Sequence, residues 1–288
     1  MIVNIAVSIL LYPGLALALV LALLLVLLTE RRIPLGRLPG ARALRSLSGL
    51  AACASMLLAA IALALLPWPY HPVPGWSLIG QPIVFWCALE GAFLVGQLPG
   101  LLAPSSLAAR AAARELQMSV AGRCLFWLAI ASILWGGSSW SLVALPGRLL
   151  VGIAGLLALP AAIGIGPFAP EHSLSAAGAE EGLDEATVGL VRLARSVRGA
   201  AALAALVVAS VPLALESPIP PAISANMVLH LEPWMILLLR VALFTVVAAL
   251  LRQITLAIPR LTLPAALHWC WWRALPLALA GLIYLIVI

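Results

Sequence analysis

The chain contains no lysine, so all sixteen of its basic residues are arginine. Acids are few as well, and charged residues make up only 9% of the chain. A soluble domain carries about a quarter charged residues, so an ordinary water-facing surface is excluded. Cysteine is scarce: Cys53, Cys87, Cys124 and Cys270 are scattered, with no CxxC pair. They read as small packing residues, and neither a zinc site nor an iron–sulfur cluster is expected in this chain. His71, His172, His230 and His268 lie far apart, so haem or metal ligation is not expected either. No phosphate-binding glycine loop and no nucleophile motif is present. No redox centre or hydrolytic site of its own is visible.

What the chain has is hydrocarbon. Hydrophobic residues make up 64% of it, and its mean hydropathy is +1.16. Apolar runs centre near residues 16, 57, 89, 133, 156, 207, 245 and 280. A helix needs about 20 apolar residues to cross the bilayer core, and a membrane barrel would instead show roughly ten-residue alternating segments. The expected fold is therefore all-α: a polytopic membrane protein of about eight transmembrane helices, forming a single helical domain over residues 1–288. Spans are expected at about 5–28, 47–66, 79–98, 119–143, 147–166, 199–215, 233–256 and 270–288. The first run has no basic leader and ends in Thr29-Glu30-Arg31-Arg32, so it reads as a retained span rather than a signal peptide. Pro160 and several glycines predict a kinked or loosely packed fifth span.

The arginines fix an orientation. One alternate set of connecting segments holds Arg31, Arg32, Arg37, Arg42 and Arg45, then Arg110, Arg114 and Arg123. It continues with Arg192, Arg195 and Arg198, then Arg252, Arg260 and Arg273. The other set holds only Arg148, and Arg240 lies inside a run. The positive-inside rule makes the arginine-rich side cytoplasmic, which puts both termini outside. Topology accounts for the positive charge, so nucleic acid is not expected as a partner.

Two charges sit deep in apolar sequence: Glu90 in "FWCALEGAFL" and Arg240 in "MILLLRVALF". A charged group at the membrane centre costs roughly 2.5–3.5 kcal/mol on insertion scales. Such groups often mark an ion path. A structural interhelical hydrogen bond for Glu90 and snorkelling for Arg240 are the plainer alternatives. The segment 167–198 carries Glu171, Glu180, Glu181, Asp184 and Glu185, followed by three arginines on a helical stripe in "TVGLVRLARSVR". Acids at a membrane surface beside arginines suit a proton relay, although a solvated loop would also be acidic for solubility alone.

Four stretches together resemble one family. They are "TERRIPLGR" (29–37), "RAAAREL" (110–116), and "PFAPE" with "EEGLDEA" and "GLVRLAR" (167–195). The fourth is the C-terminal stretch, with Arg240 and Arg252 spaced as a pair, Pro259-Arg260, Trp271 and Pro276. In order and placement they resemble the eight-helix membrane subunit of respiratory complex I (its subunit 1, or H subunit). They equally resemble its homologue in energy-converting membrane-bound nickel–iron hydrogenases and formate hydrogenlyase. The resemblance covers nearly the whole chain. It departs at "LPGAR" (38–42), "QMSVAG" (117–122), Thr262 and Pro264, where quinone-reducing members carry residues that line the quinone cavity. This favours the hydrogenase-type branch, or a related complex whose electron acceptor is bound elsewhere.

The resemblance implies a membrane anchor and coupling subunit of an oxidoreductase complex in a prokaryotic cytoplasmic membrane, with no catalytic centre or cofactor of its own. The nickel–iron centre and iron–sulfur clusters, or quinone, would lie in partner subunits. Soluble redox subunits would dock on the cytoplasmic face through Glu30, Arg31, Arg32, Arg37, Arg42 and Arg260. Antiporter-like membrane subunits and lipid would be the other partners. The translocated ion, proton or sodium, would be relayed by Glu90, Glu115, Glu171, Glu181, Asp184, Glu185 and Arg240. A quinone-binding subunit of a respiratory NADH dehydrogenase and a stand-alone transporter are the alternative expectations.

Overall fold

A computed structural model describes residues 2–29, 41–73, 82–135, 143–168, 180, 182–210, 233–258 and 261–287. The described residues are almost wholly helical, with no strand among them, and eight helical stretches are long and apolar enough to cross a membrane. The chain is an all-α, multi-pass membrane protein. Of the expected docking residues, Glu30, Arg31, Arg32, Arg37 and Arg260 lie outside the described residues, as do Glu171 and Glu181 of the expected ion path.

The first span, expected as one run, is two helices: α1 (Ile2–Leu10) and α2 (Leu15–Thr29). Pro13 has no N–H to continue the ladder, and a side chain at Gly14 would meet the Ile9 carbonyl oxygen at 2.0 Å. In α2 the buried residues Ala18, Leu21, Ala22, Leu25 and Val26 repeat at three and four, the period of one helix face. That face packs on α9 (Glu185–Ser210). Its opposite face, with Val20, Leu23 and Leu27, is equally apolar and exposed, as lipid contact demands.

A short helix, α3 (Ala41–Arg45), precedes α4 (Leu47–Ala64), whose N-terminus is capped by Ser46 Oγ accepting the Gly49 N–H at 3.0 Å. Then come α5 (Pro82–Val95), the single turn α6 (Leu98–Leu101), α7 (Ser106–Trp135) and α8 (Leu145–Ile163). The fourth span, expected from about residue 119, begins at Ser106 as part of one 30-residue helix, because alanine, leucine, arginine and glutamate over residues 106–121 continue a helix without a breaker. Likewise the arginine stripe before the sixth span is the first part of α9. The seventh span is α10 (Pro233–Ala257), and the last is α11 (Leu263–Trp269) and α12 (Leu275–Val287), joined by a π-helical turn at Cys270–Ala274.

The bundle is organised around α9. Every residue from Val197 to Ala209 is buried, and α9 touches α2, α4, α5, α7, α8 and α10. Alanine and glycine make up seven of its thirteen residues, which lets neighbouring backbones approach closely. Elsewhere glycine serves the same end: a Cβ at Gly122 of α7 would lie 2.4 Å from the Ala162 backbone nitrogen of α8. Thr255 at the end of α10 packs on Gly166, and the Leu261 N–H reaches the Pro167 oxygen at 3.4 Å. These contacts gather the ends of α8 and α10 and the start of α11 at the arginine-rich end of the bundle. At the opposite end Tyr284 Oη donates to the Val143 oxygen at 3.0 Å.

Candidate functional site: a buried charge ladder

The arginines of α9 recur every third residue, at 192, 195 and 198. With 1.5 Å of rise per residue they step about 4.5 Å at a time along the helix, and they run from surface to core. The side chain of Arg192 is 48% exposed and that of Arg195 15%, while Arg198 as a residue is 3% exposed. Each meets a different environment.

At the outer step, Arg192 donates Nε to Glu180 Oε2 at 2.9 Å, and its Nη2 lies 2.8 Å from the same oxygen. Arg195 sits between two carboxylates: Nη1 is 3.5 Å from Glu180 Oε1, and Nη2 is 3.5 Å from Glu115 Oε2 of α7. Glu180 and Glu115 are both buried, so a single guanidinium bridges two acids that are largely removed from water. Arg198 reaches no carboxylate among the described residues. Its Nη1 donates to Ser55 Oγ at 3.0 Å, and Ser55 in turn donates to the Ala92 carbonyl at 2.8 Å. A Cβ at Gly96 would lie 1.2 Å from Arg198 Nη1, so the absence of a side chain there is what admits the guanidinium between α4 and α5.

Phe93 of α5 carries the ladder onward. The Arg198 guanidinium lies 5.8 Å from the ring centroid, and the Arg123 guanidinium of α7 lies 5.0 Å from it. Two cations thus share one ring, whose π-face attracts positive charge. Arg123 then grips Glu90, donating Nε to Oε1 at 3.1 Å and to Oε2 at 3.0 Å. Its Nη1 donates to Ser119 Oγ at 2.8 Å, and Trp127 Nε1 donates to Glu90 Oε1 at 2.5 Å. Ser119, Arg123 and Trp127 are four residues apart on one face of α7, the spacing that brings side chains together. Glu90 therefore has a full set of partners, and the ladder runs from Glu180 through Arg195 and Glu115, then Arg198 and Arg123, to Glu90.

Of the residues singled out by sequence, the structure brings Glu90 and Glu115 into this ladder. Asp184 lies just before α9, where its Oδ2 accepts the Thr187 N–H at 3.2 Å and its Oδ1 accepts the Thr187 hydroxyl at 2.5 Å. The hydroxyl bond holds its carboxyl below the ordinary carboxylate range. Glu185 is exposed in the first turn of α9, where the helix dipole favours an acid. Arg42 falls in α3. Arg240 belongs to a second cluster, at the other end of α4: its Nη1 donates to the Pro67 carbonyl, and its guanidinium lies 5.7 Å from the Trp68 ring. Trp68 Nε1 donates to Leu63 O at 3.0 Å, and Tyr12 Oη to Pro69 O at 2.7 Å. Arg240 thus supplies positive charge where the helix leaves carbonyls unpaired.

Sequence reasoning left Arg123 and Ser55 out of the candidate site. It set Glu180 among the acids suited to a relay and Arg192, Arg195 and Arg198 on a helical stripe beside them, without pairing any of them. The three-residue period on α9, and the Ser119, Arg123, Trp127 register on α7, were the signals available. Compared with known proteins, the chain matches no family model and no curated protein.

Proposed function

We propose that the chain is the membrane anchor and coupling subunit of a complex I-like, membrane-bound hydrogenase-like oxidoreductase. It docks a soluble redox module on its arginine-rich end, the cytoplasmic side in this proposal, and links that module to proton or sodium translocation. The observation that supports the proposal is a pair of buried charge clusters, Glu180–Arg195–Glu115 near that end and Arg123–Glu90 inside the bundle, with Arg198 and the Phe93 ring between them. Their buried members cost insertion energy, and ionisable groups held at such depth suit an ion path as well as a bridge between helices.

Electrons stay in the partner chains, and so do the nickel–iron centre, iron–sulfur clusters or quinone that handle them. This chain's part is electrostatic. A charge change in the docked module acts on the acids nearest it, Glu171, Glu180, Glu181, Asp184 and Glu185. Arg195 is held by two carboxylates at equal distance, so a loss of charge at Glu180 shifts the guanidinium's balance toward Glu115. The disturbance passes inward through the paired cations on Phe93 to Glu90. Docking falls to Glu30, Arg31, Arg32, Arg37, Arg42 and Arg260.

Purification of the chain from its native membrane, with identification of the chains that accompany it, tests the proposal. A nickel–iron large subunit together with antiporter-like membrane subunits is the expected result. A quinone-reducing NADH dehydrogenase module would move the chain to the respiratory branch, and recovery of the chain alone would overturn the proposal.

A further inference from the structure

A second feature lies at the end of the bundle away from the ladder. A groove there runs between α8 and α10, floored by Leu206 of α9. Its walls are Leu149, Ile153 and Leu156 on one side and Leu243 and Val247 on the other, and Arg148 stands at one end. The cavity is about 210 Å3, more than the roughly 150 Å3 that admits benzene to a protein interior. It opens sideways: Leu149 is 56% exposed and Ile153 47%, so it faces the surroundings of the bundle rather than its core.

Three observations fix the occupant. The lining is almost wholly apolar, and the surroundings of a membrane-spanning bundle are acyl chains. From Leu145 to Leu156 the groove follows α8 for eleven residues, about 16 Å at 1.5 Å per residue. That is the depth of one leaflet, half of a roughly 30 Å hydrocarbon core. Arg148 lies in the first turn of α8 and lines the groove, 7% exposed, and a guanidinium suits a phosphate. At the groove's midpoint Gly152 leaves room: a Cβ there meets nothing within 4 Å.

We propose that this groove is a binding site for one anionic phospholipid, its phosphate on Arg148 and one acyl chain along α8 between Leu149 and Leu156. The site tethers α10, one of the less buried helices, to α8 and α9 through a lipid. It is independent of the oxidoreductase proposal.

The test is native mass spectrometry of the delipidated full chain, titrated separately with dioleoylphosphatidylglycerol, dioleoylphosphatidylcholine and inorganic phosphate. One phosphatidylglycerol should be retained in preference to phosphatidylcholine, and phosphate alone should not be retained. Arg148→Gln should weaken phosphatidylglycerol about fivefold and remove the headgroup preference, the factor expected for one arginine at a membrane surface. Gly152→Phe fills the groove from a position where a Cβ meets nothing within 4 Å; with helical circular dichroism unchanged, it should abolish retention of both lipids at this site. Equal retention of the two lipids by the wild type would overturn the proposal. So would retention of phosphatidylglycerol by Gly152→Phe at the wild-type level, or binding of phosphate alone as tightly as the lipid.

Discussion

Replacing Glu90 with glutamine should destabilise the bundle by about 2–3 kcal/mol, far more than an ordinary polar contact in a membrane. The carboxylate accepts Arg123 Nε on both oxygens and Trp127 Nε1 on one of them. An amide keeps one acceptor oxygen but turns its NH2 toward a donor. Arg123, with its side chain 3% exposed, then keeps its charge without a counter-ion. In a soluble protein such a loss costs about 3–5 kcal/mol. A bilayer lowers that figure, because an unfolded but inserted helix has not hydrated its arginine either. Neutral interhelical bonds in membranes average about 0.6 kcal/mol, and charge-assisted ones are roughly twice as strong. Two such bonds, added to a cation left uncompensated at low dielectric, bring the loss to the stated range.

The decisive form is a double-mutant cycle. Glu90→Gln, Arg123→Gln and the pair would be unfolded reversibly in mixed micelles by increasing dodecyl sulfate, followed by helical circular dichroism. Removing both charges relieves the uncompensated cation, so the pair should be more stable than the sum of the single losses predicts, by about 2 kcal/mol. Trp127→Phe serves as the control for the shared hydrogen bond. Additivity to within about 0.5 kcal/mol would show that the two side chains are neighbours without being coupled, and the ladder would lose its innermost step.

Three further outcomes follow from the geometry. Gly122→Ala forces a methyl to within 2.4 Å of the Ala162 backbone nitrogen, which cannot move as a side chain end would, and overpacking should cost about 1–3 kcal/mol in the same unfolding assay; a wild-type midpoint would mean that α7 and α8 are less closely packed. Asp184 has its carboxyl held below the ordinary range by Thr187, so its stabilisation is present above the unfolded carboxylate value near pH 4 and lost as pH falls through the folded one. The stability gap between wild type and Asp184→Ala should therefore be full at pH 6 and close below about pH 4, and a gap unchanged with pH would rule out the Thr187 bond as its source. In a background without the native cysteines, Leu107→Cys should react with an impermeant maleimide only from the cytoplasmic side and Val143→Cys only from outside. Reaction of both from one side would break the alternation of spans.

Architecture was legible in the sequence because the bilayer enforces it. Helices must satisfy their own backbone there, so apolar length alone located eight spans, and the first residues of α4, α8 and α10 lie within two of those expected. The failures fell where charge and hydrocarbon share one helix. Hydropathy started the fourth span at about residue 119 and the sixth at about 199, whereas α7 starts at Ser106 and α9 at Glu185, because helix propensity is indifferent to whether arginine or leucine follows alanine. Glu90 was identifiable from its apolar neighbours. Its partner was not, since a 33-residue separation in sequence says nothing about which helix faces it.

The ladder is also constrained by its own count. Among the described residues it sets Arg123, Arg192, Arg195 and Arg198 against Glu90, Glu115 and Glu180. The surplus cation is the most buried one of α9, Arg198, held by Ser55, the Phe93 face and the space at Gly96. Because the excess lies at depth, neutralising any one carboxylate raises the repulsion among the cations most strongly where water is least able to screen it. The relief differs along the ladder. Arg192, with its side chain 48% exposed, can turn outward into solvent when Glu180 is neutralised. Arg123, in contact with Ser119 and Phe93, has no such route when Glu90 is neutralised. Neutralisation at the outer step is therefore relieved by a side chain turning toward solvent, while at the inner step the buried cation keeps the full cost, so the two ends of the ladder differ in how firmly their charges are held.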